Sequence, residues 1–212
     1  SLTYDDISLV PCEVSRIESR KETNTTVDFL GRKLLLPVIS SPMDSVTGID
    51  MAEALDGMGC IGIVNRFDSS LDKVRNDHPK ISAISIGLNY SDDEIAQLAE
   101  RSSIICIDTA NANNKTVLTK CEKIKGKHNV KIIVGNVAQG NSLSELVNAG
   151  ADAVRIGIGG GSVCTTSIQT GIGIGQASSL LDLYIAREDK KLKIDLIADG
   201  GIKSPGDVAK AM

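Results

Sequence analysis

Short apolar runs of strand-forming residues alternate with helix-period segments along this 212-residue chain. Seven runs rich in Ile, Val and Leu lie at residues 34–41, 60–65, 82–87, 104–108, 131–136, 153–158 and 195–200. Helical patterns lie at residues 48–58, 91–101, 115–125, 142–149, 175–187 and 204–212. Strands separated by helices connect as βαβ units, which predicts an α/β fold built on a parallel sheet.

Two of the predicted helices have recognisable start signals. Ser142 stands three residues before Glu145, as in a capping box, and Ser204 is followed directly by Pro205, a typical first helical residue. The segment before residue 34 is polar. We expect it to wrap the base or the edge of the sheet.

The number of repeats favours a barrel over an open sheet. No linker divides the βα units into two lobes, so we expect a (β/α)8 TIM barrel in which residues 1–212 form one catalytic domain. The last helical pattern follows the seventh strand, so the eighth unit is absent from this chain. A missing unit leaves two strand edges unpaired, and we therefore expect the barrel to be incomplete on its C-terminal side.

Composition narrows the possible classes of function. Aromatic residues make up only 2% of the chain, so the core must consist of aliphatic side chains, as in sheets covered on both faces. A net charge of −4 without a basic stripe argues against nucleic-acid binding, and no apolar run reaches the roughly 20 residues of a membrane span. Five cysteines without paired spacing indicate a reducing compartment, which predicts a cytoplasmic protein.

The glycine-rich segment at residues 157–166 is the main candidate for chemistry. Its sequence is GIGGGSVCTT, and it directly follows the sixth predicted strand. Glycines allow the backbone to approach a ligand, so we interpret Cys164 as a nucleophile, with Ser162 and the loop N–H groups available for a phosphate. The alternative is that Cys164 is a buried structural thiol, which is the commoner state of a cysteine. The remaining cysteines lie in or beside apolar runs and are predicted to be inert: Cys12, Cys60, Cys106 and Cys121.

Polar residues and glycines follow each predicted strand. In a TIM barrel the active site lies at the carboxyl ends of the strands, and phosphate groups bind near the last of them. This placement predicts a phosphorylated substrate. The segments concerned are 40–44, 65–66, 87–89, 108–109, 135–136, 157–166 and 199–201.

At these residues the chain resembles the IMP dehydrogenase/GMP reductase family. The resemblance extends over essentially the whole sequence, and the combination of a cysteine loop with Asp-Gly-Gly at this spacing is highly specific. The matching segments are LTYDDISLVP at 2–11, SSPMDSVT at 40–47, GNV at 135–137, GIGGGSVCTT at 157–166 and ADGGI at 198–202.

The resemblance implies a covalent mechanism on a purine nucleotide. Cys164 would attack C2 of the base, and Thr166 would assist at the purine. Asp199 would accept both ribose hydroxyls, while Ser162 and Gly201 would bind the 5′-phosphate. The implied substrate-binding residues are Ser41, Met43, Ser162, Asp199, Gly200 and Gly201.

The resemblance also implies cofactors and an assembly. Four residues match positions near the nicotinamide of NAD and the reacting base: Asp108, Asn136, Arg155 and Gly157. Potassium would bind to the backbone carbonyls of Gly159, Gly161 and Cys164, and the protein would be a homotetramer that binds IMP or a related purine nucleotide.

Local alternatives exist for three of these side chains. Asp199 could merely cap the next turn, Asn136 could bond to its own loop, and Arg155 could be a surface cation at a strand edge.

Three functions remain open at this stage. The segments at 40–47, 155–157 and 197–202 resemble the dehydrogenases, so we expect an IMP dehydrogenase that oxidises IMP to XMP with NAD through a cysteine thioimidate. The connection at 66–81 contains no CBS regulatory domain, as in the reductases, and Asn111 and the segment at 204–210 also resemble them. The alternative is therefore a GMP reductase, which converts GMP to IMP with NADPH. The residues that separate the two activities lie on a flap beyond the eighth strand, outside this chain, and a non-catalytic nucleotide-binding paralogue is the third possibility.

Overall fold

The computed structural model describes residues 1–67, 72, 74, 81–159, 169 and 171–212. Within them, seven strands form a single parallel sheet in sequential order, preceded by a two-stranded antiparallel hairpin. The hairpin consists of β1 (Val27–Phe29) and β2 (Arg32–Leu34). The parallel sheet consists of β3 (Ile39–Ser40), β4 (Ile61–Val64), β5 (Ile81–Ile86), β6 (Ser102–Asp108), β7 (Lys131–Val137), β8 (Ala153–Ile156) and β9 (Asp195–Ala198). The predicted α/β class and parallel sheet are confirmed.

The helices lie where the apolar periodicity predicts them, within two residues at each end. They are α1 (Ile49–Gly57), α2 (Asp92–Arg101), α3 (Lys115–Lys127), α4 (Leu143–Asn148), α5 (Gln176–Asp189) and α6 (Pro205–Ala211). Short 3-10 turns occur at Tyr4–Asp6, Arg20–Glu22 and Gly140–Ser142. Among the described residues, no helix has the length and apolar character needed to cross a membrane.

The sheet is curled, so that its first and last strands approach each other. In the described residues β3 pairs only with β4, and β9 pairs only with β8. Even so, the hydroxyl of Ser41, just beyond β3, donates a hydrogen bond of 2.7 Å to the carboxylate of Asp199, just beyond β9. Sequential parallel strands that curl back in this way form a partial TIM barrel, as the repeat count predicts.

Two apolar clusters lie on the two faces of the curled sheet. The inner cluster contains alternate residues of the strands, such as Ile61, Ile63, Ile104 and Ile133. The outer cluster lies between the strands and the helices and contains the intervening residues, such as Ile105. Full burial of one such side chain stabilises the fold by about 1.5–3 kcal/mol, so these aliphatic layers replace the aromatic core that the sequence lacks.

The polar N-terminal segment covers the base of the barrel, as expected. Phe29, Leu30 and Leu34 of the hairpin pack into the inner cluster, and the amide of Leu30 donates to the carboxylate of Asp195 at 2.8 Å. The first strand of the sheet is shorter than the run at 34–41 predicts. Leu34 belongs to the hairpin, and Pro37 has no N–H to donate to a strand ladder.

The two predicted helix starts differ in outcome. Ser204 is the N-cap of α6, and its hydroxyl accepts from the amide of Asp207 at 3.3 Å. The capping box predicted at Ser142 is wrong. Residues 140–142 form a 3-10 turn ahead of α4, and this geometry leaves the buried hydroxyl of Ser142 without a hydrogen-bond partner.

Candidate active site

The two-residue period of the strands brings polar side chains into the barrel at its carboxyl end. Ile104 and Cys106 of β6 belong to the inner cluster, and Asp108 is the next residue on the same face. By the same alternation Arg155 follows Ala153 on β8, and Asp199 follows Ile197 at the end of β9. Three charged groups from three different strands therefore meet above the apolar interior.

Arg155 is the centre of this cluster. One nitrogen, Nη1, lies 2.9 Å from Oδ1 of Asp108, and Nη2 lies 2.7 Å from Oδ2 of Asp199. The side chain of Arg155 is only 7% exposed, so it is not the surface cation that its strand position allowed. Gly135 makes this placement possible, because a Cβ at that residue would lie 2.6 Å from the Cβ of Arg155.

Asp199 receives three donors from side chains on three other strands. The hydroxyl of Ser41 donates to Oδ1, while Asn136 and Arg155 both donate to Oδ2, each at 2.7 Å. Asn136 also donates to the backbone oxygen of Gly157 at 2.7 Å, so its amide does not simply bond to its own loop. A carboxylate has about four lone-pair positions, and the one left on Oδ1 can accept from a ligand hydroxyl.

The electrostatics of the cluster favour the charged forms of Asp199 and Arg155. Burial opposes the ionisation of Asp199, but Arg155 and the hydrogen bonds from Ser41 and Asn136 hold the pKa of its carboxyl below the usual range. Burial also opposes the charged form of Arg155. The negative charges of Asp199 and Asp108 outweigh this effect and raise the pKa of the guanidinium. Asp199 is therefore an anion paired with the Arg155 cation at neutral pH.

Cys106 lies directly below this cluster and differs from a reactive thiol. Burial raises the pKa of its thiol to about 11, despite the proximity of Arg155 at 3.8 Å. Cys60 and Cys121 are also buried, in agreement with their predicted inert character, whereas Cys12 is exposed. A thiol with such a raised pKa is protonated at neutral pH, which makes Cys106 a poor nucleophile.

A cavity of about 870 Å³ opens beside the cluster, and part of it is the gap between the first and last strands that an eighth strand fills in a complete barrel. Its walls include Ser41, Arg155, Asp199 and Gly200, and it continues along the gap between β3 and β9. Gly200 and Gly201 have φ values of 84° and 75°, a left-handed conformation that favours glycine. Their backbone can therefore approach a ligand in this cavity closely.

The remaining predicted site residues differ in position. Gly157 follows β8 and Gly159 lies two residues further on, whereas Met43 is half-buried in a turn and does not line the described cavity. Four predicted residues lie outside the described residues: Gly161, Ser162, Cys164 and Thr166. The described part of the chain contains no group of three His, Cys, Asp or Glu side chains suited to a metal ion, and the potassium site stays a prediction.

Arg66 belongs to the site but had no role assigned from sequence. It follows β4, and its Nε lies 3.1 Å from Oδ2 of Asp108, so Asp108 binds two arginines at once. The Arg66 guanidinium also lies 4.1 Å from the centre of the Phe67 ring. Its position at a strand end was the only sequence signal for a role in the site. Its pairing with Asp108 could not be predicted, because the two residues are 42 positions apart in the sequence.

Fold and site together define a parallel α/β-barrel protein with a charged, cavity-lining site at the carboxyl ends of its strands. The family model of the IMP dehydrogenase/GMP reductase domain matches residues 1–212. The chain belongs to this family, as the sequence segments predicted.

Curated relatives add detail to this assignment. The chain is 35% identical over 216 residues to a protein named GMP reductase from Streptococcus pneumoniae serotype 19F (strain G54). It is 37% identical over 218 residues to a GMP reductase from Streptococcus gordonii (strain Challis). Each alignment covers 99% of this chain and 65% of the relative, so the chain spans about two thirds of the length of these proteins.

Proposed function

We propose that this chain is the barrel of a GMP reductase, which converts GMP to IMP with NADPH as the reductant. The observation that carries the proposal is the 35–37% identity to proteins named GMP reductase over 99% of the chain. This similarity supports the reductase alternative rather than the IMP dehydrogenase expected from individual motifs. The charged cluster at the strand ends supplies side chains suited to a nucleotide.

Asp199 is suited to the ribose. Its carboxylate is ionised, lines the cavity and has room for a further donor on Oδ1. In our proposal a ribose hydroxyl donates to this oxygen, and the Ser41 hydroxyl rotates to bond with the same sugar. The adjacent Gly200 and Gly201 offer backbone N–H groups to the phosphate.

The residues around Asp108 fit a nicotinamide carboxamide. A carboxamide needs both donors and acceptors, and Arg66, Asp108 and Asn136 offer both within one hydrogen-bonded cluster. The reduced nicotinamide supplies a hydride when bound. Arg155 pairs with both Asp108 and Asp199, and Arg66 pairs with Asp108 as the second cation, so the two neighbouring carboxylates both have cationic partners.

Cys164 is proposed as the nucleophile on the basis of the family resemblance. Its thiolate forms a bond to C2 of GMP, and the C2–N bond to the exocyclic amine breaks, with ammonia leaving after protonation. Hydride addition to C2 and loss of the thiolate then give IMP. The buried Cys106 is a poor candidate for this role because of its raised pKa.

The test uses the full-length protein with GMP and NADPH and follows the near-ultraviolet absorbance of the reduced nicotinamide. A GMP-dependent decrease that disappears in Cys164→Ala, but persists in the exposed control Cys12→Ala, supports the reductase. An absorbance increase with IMP and NAD alone would favour the dehydrogenase instead. Nucleotide binding without either reaction would favour the non-catalytic paralogue. Sedimentation of the same sample tests the predicted homotetramer.

A further inference from the structure

Gln176 joins the ends of two neighbouring strands from behind the candidate site. It is the first residue of α5 and is only 2% exposed. Its Nε2 donates to the carbonyl of Ile156, the last residue of β8, at 2.5 Å, and to the carbonyl of Asp199, just beyond β9, at 3.2 Å. The side chain therefore fixes the backbone on both sides of the point where Gly157 and Asp199 enter the site.

The absence of a side chain at Gly157 makes room for the amide of Gln176. A Cβ at Gly157 would lie 2.7 Å from Oε1 of Gln176, and it would also collide with the backbone oxygen of Asp199. The φ of Gly157 is 144°, in the region that side chains rarely adopt. The start of the segment that leads to Cys164 is thus packed directly against the Gln176 amide.

The start of α5 also lies against the N-terminal segment, because the amide of Ser178 donates to the carbonyl of Leu2 at 3.1 Å. The Oε1 of Gln176 and the hydroxyl of Tyr4 are both buried, and neither has a hydrogen-bond partner among the described residues. Burial raises the pKa of the Tyr4 hydroxyl to about 12, so this hydroxyl is protonated at neutral pH. Tyr4 is itself held from outside, because Lys210 of α6 donates to its carbonyl at 2.7 Å.

We propose that Gln176 is a positioning residue for nucleotide binding: it holds Gly157 and Asp199 in place through its hydrogen bonds to the carbonyls of Ile156 and Asp199. Gln176 does not line the cavity beside Asp199, so it acts through the backbone rather than by contact with the nucleotide. The functional half of this inference rests on the proposed purine-nucleotide site.

The variant Gln176→Glu tests the donor role at nearly constant shape. An ionised carboxylate cannot donate to the Ile156 and Asp199 carbonyls, whereas a protonated one can, through one oxygen. We expect GMP affinity, measured by calorimetry in the full-length protein, to fall about tenfold at pH 8 and to recover towards pH 5.5. Gln176→Leu loses affinity at both pH values, because it cannot donate in either state. The control Gln97→Glu, on the exposed face of α2, leaves affinity unchanged.

The charged and titratable groups near Gln176 do not produce this pH dependence themselves. Despite its burial, Asp199 has a pKa lowered by Arg155, and backbone hydrogen bonding from Lys203 lowers the pKa of Asp207, the acidic group beside Tyr4. The pKa of Tyr4 lies at about 12. Each of these groups keeps one charge state between pH 5.5 and 8. If GMP affinity recovers at low pH only in Gln176→Glu, the recovery is therefore due to protonation of the introduced carboxyl group.

Hydrogen exchange provides a readout that does not need a ligand. The amides of Gly157 and Asp199 donate to Val137 and Ile156, each at 2.9 Å. We expect both amides to exchange faster in Gln176→Glu at pH 8 than in the Gln97→Glu control. Wild-type affinity and exchange in Gln176→Glu at pH 8 would overturn the positioning role. If the unmodified protein binds no GMP, the proposed function fails, and the exchange rates alone decide whether Gln176 positions these residues.

Discussion

The two ends of the strands both carry an aspartate with two cationic partners, but the two clusters differ in burial. At the carboxyl end Asp108 binds Arg155 at 2.9 Å and Arg66 at 3.1 Å. The side chain of Arg155, which also binds Asp199, is 7% exposed. At the amino end Asp152 binds Lys125 at 2.7 Å and Lys131 at 3.1 Å, and these lysine side chains are 37% and 48% exposed. One cluster has been withdrawn from water, and the other remains in contact with it.

On the basis of this difference in burial, we propose that the carboxyl-end cluster binds a ligand and that the amino-end cluster is structural. Buried ion pairs give up hydration and are weak contributors to stability, so their presence indicates another role, such as ligand binding. Asp152 instead serves the strand ladder: its carboxylate accepts from the amide of Ile132 at 2.8 Å, and its carbonyl accepts from the amide of Asp195 at 3.0 Å. We therefore expect substitutions at the two ends to affect different measurements.

The largest expected effect on stability follows from Arg155→Leu. The change leaves Asp108 and Asp199 close together without their shared cation, and breaking such a buried pair costs about 3–5 kcal/mol of unfolding free energy. Urea denaturation measures this loss. The matched variant at the other end, Lys131→Met, should cost less than about 1 kcal/mol because its pair is exposed to solvent. Equal losses in the two variants would contradict the comparison.

Asp199→Asn should chiefly affect binding. The amide keeps the shape of the side chain but removes the charge and one acceptor, so we expect nucleotide affinity to fall about 10- to 100-fold by calorimetry. The control is Asp195→Asn, at the amino end of the same strand, where the carboxylate accepts from the Leu30 amide. That variant should bind nucleotide normally. A comparable loss of nucleotide affinity in both variants would show that Asp199→Asn acts by disturbing the fold rather than by removing a contact with the nucleotide.

Asp152→Asn should show the reverse behaviour. It weakens two ion pairs and one backbone hydrogen bond, and we expect a loss of about 1 kcal/mol in unfolding free energy because the lysines are partly screened by solvent. Nucleotide affinity and turnover should remain at the unmodified level. Reduced turnover at full folding would show that the two ends are coupled.

The smallest effect is the pH dependence of stability at the amino end. Despite its partial burial, the pKa of Asp152 is lowered by Lys125, Lys131 and the Ile132 amide. A lowered folded-state pKa stabilises the protein above the unfolded value of about 3.9, and this contribution is lost as the pH falls through the folded pKa. Unfolding free energies at pH 7, 4 and 3 should decline less steeply in Asp152→Asn than in the unmodified protein. If the unfolding free energies of the two proteins declined in parallel, Asp152 would not be a source of this pH dependence.

Much of the fold could be predicted because its signals are local. β-branched residues in short runs mark six of the seven sheet strands within two residues, and the Ser204-Pro205 pair marks the start of α6. The failures have specific causes. Ser142 follows the capping pattern, but a 3-10 turn removes the geometry that the pattern needs. The run at 34–41 divides between hairpin and sheet, since Pro37 interrupts it.

The sequence by itself determined the family, the parallel α/β barrel and the positions of Asp108, Asn136, Arg155 and Asp199 at strand ends, because strand periodicity and short motifs are properties of neighbouring residues. Only the tertiary structure decided which of these groups touch. Three sets of contacts join residues at least 20 positions apart. They are the bonds from Arg155 to Asp108 and Asp199, the bond from Arg66 to Asp108, and the bonds from Gln176 to the carbonyls of Ile156 and Asp199. Such contacts arise from the curl of the sheet, which brings distant strand ends together and excludes water from the charges between them.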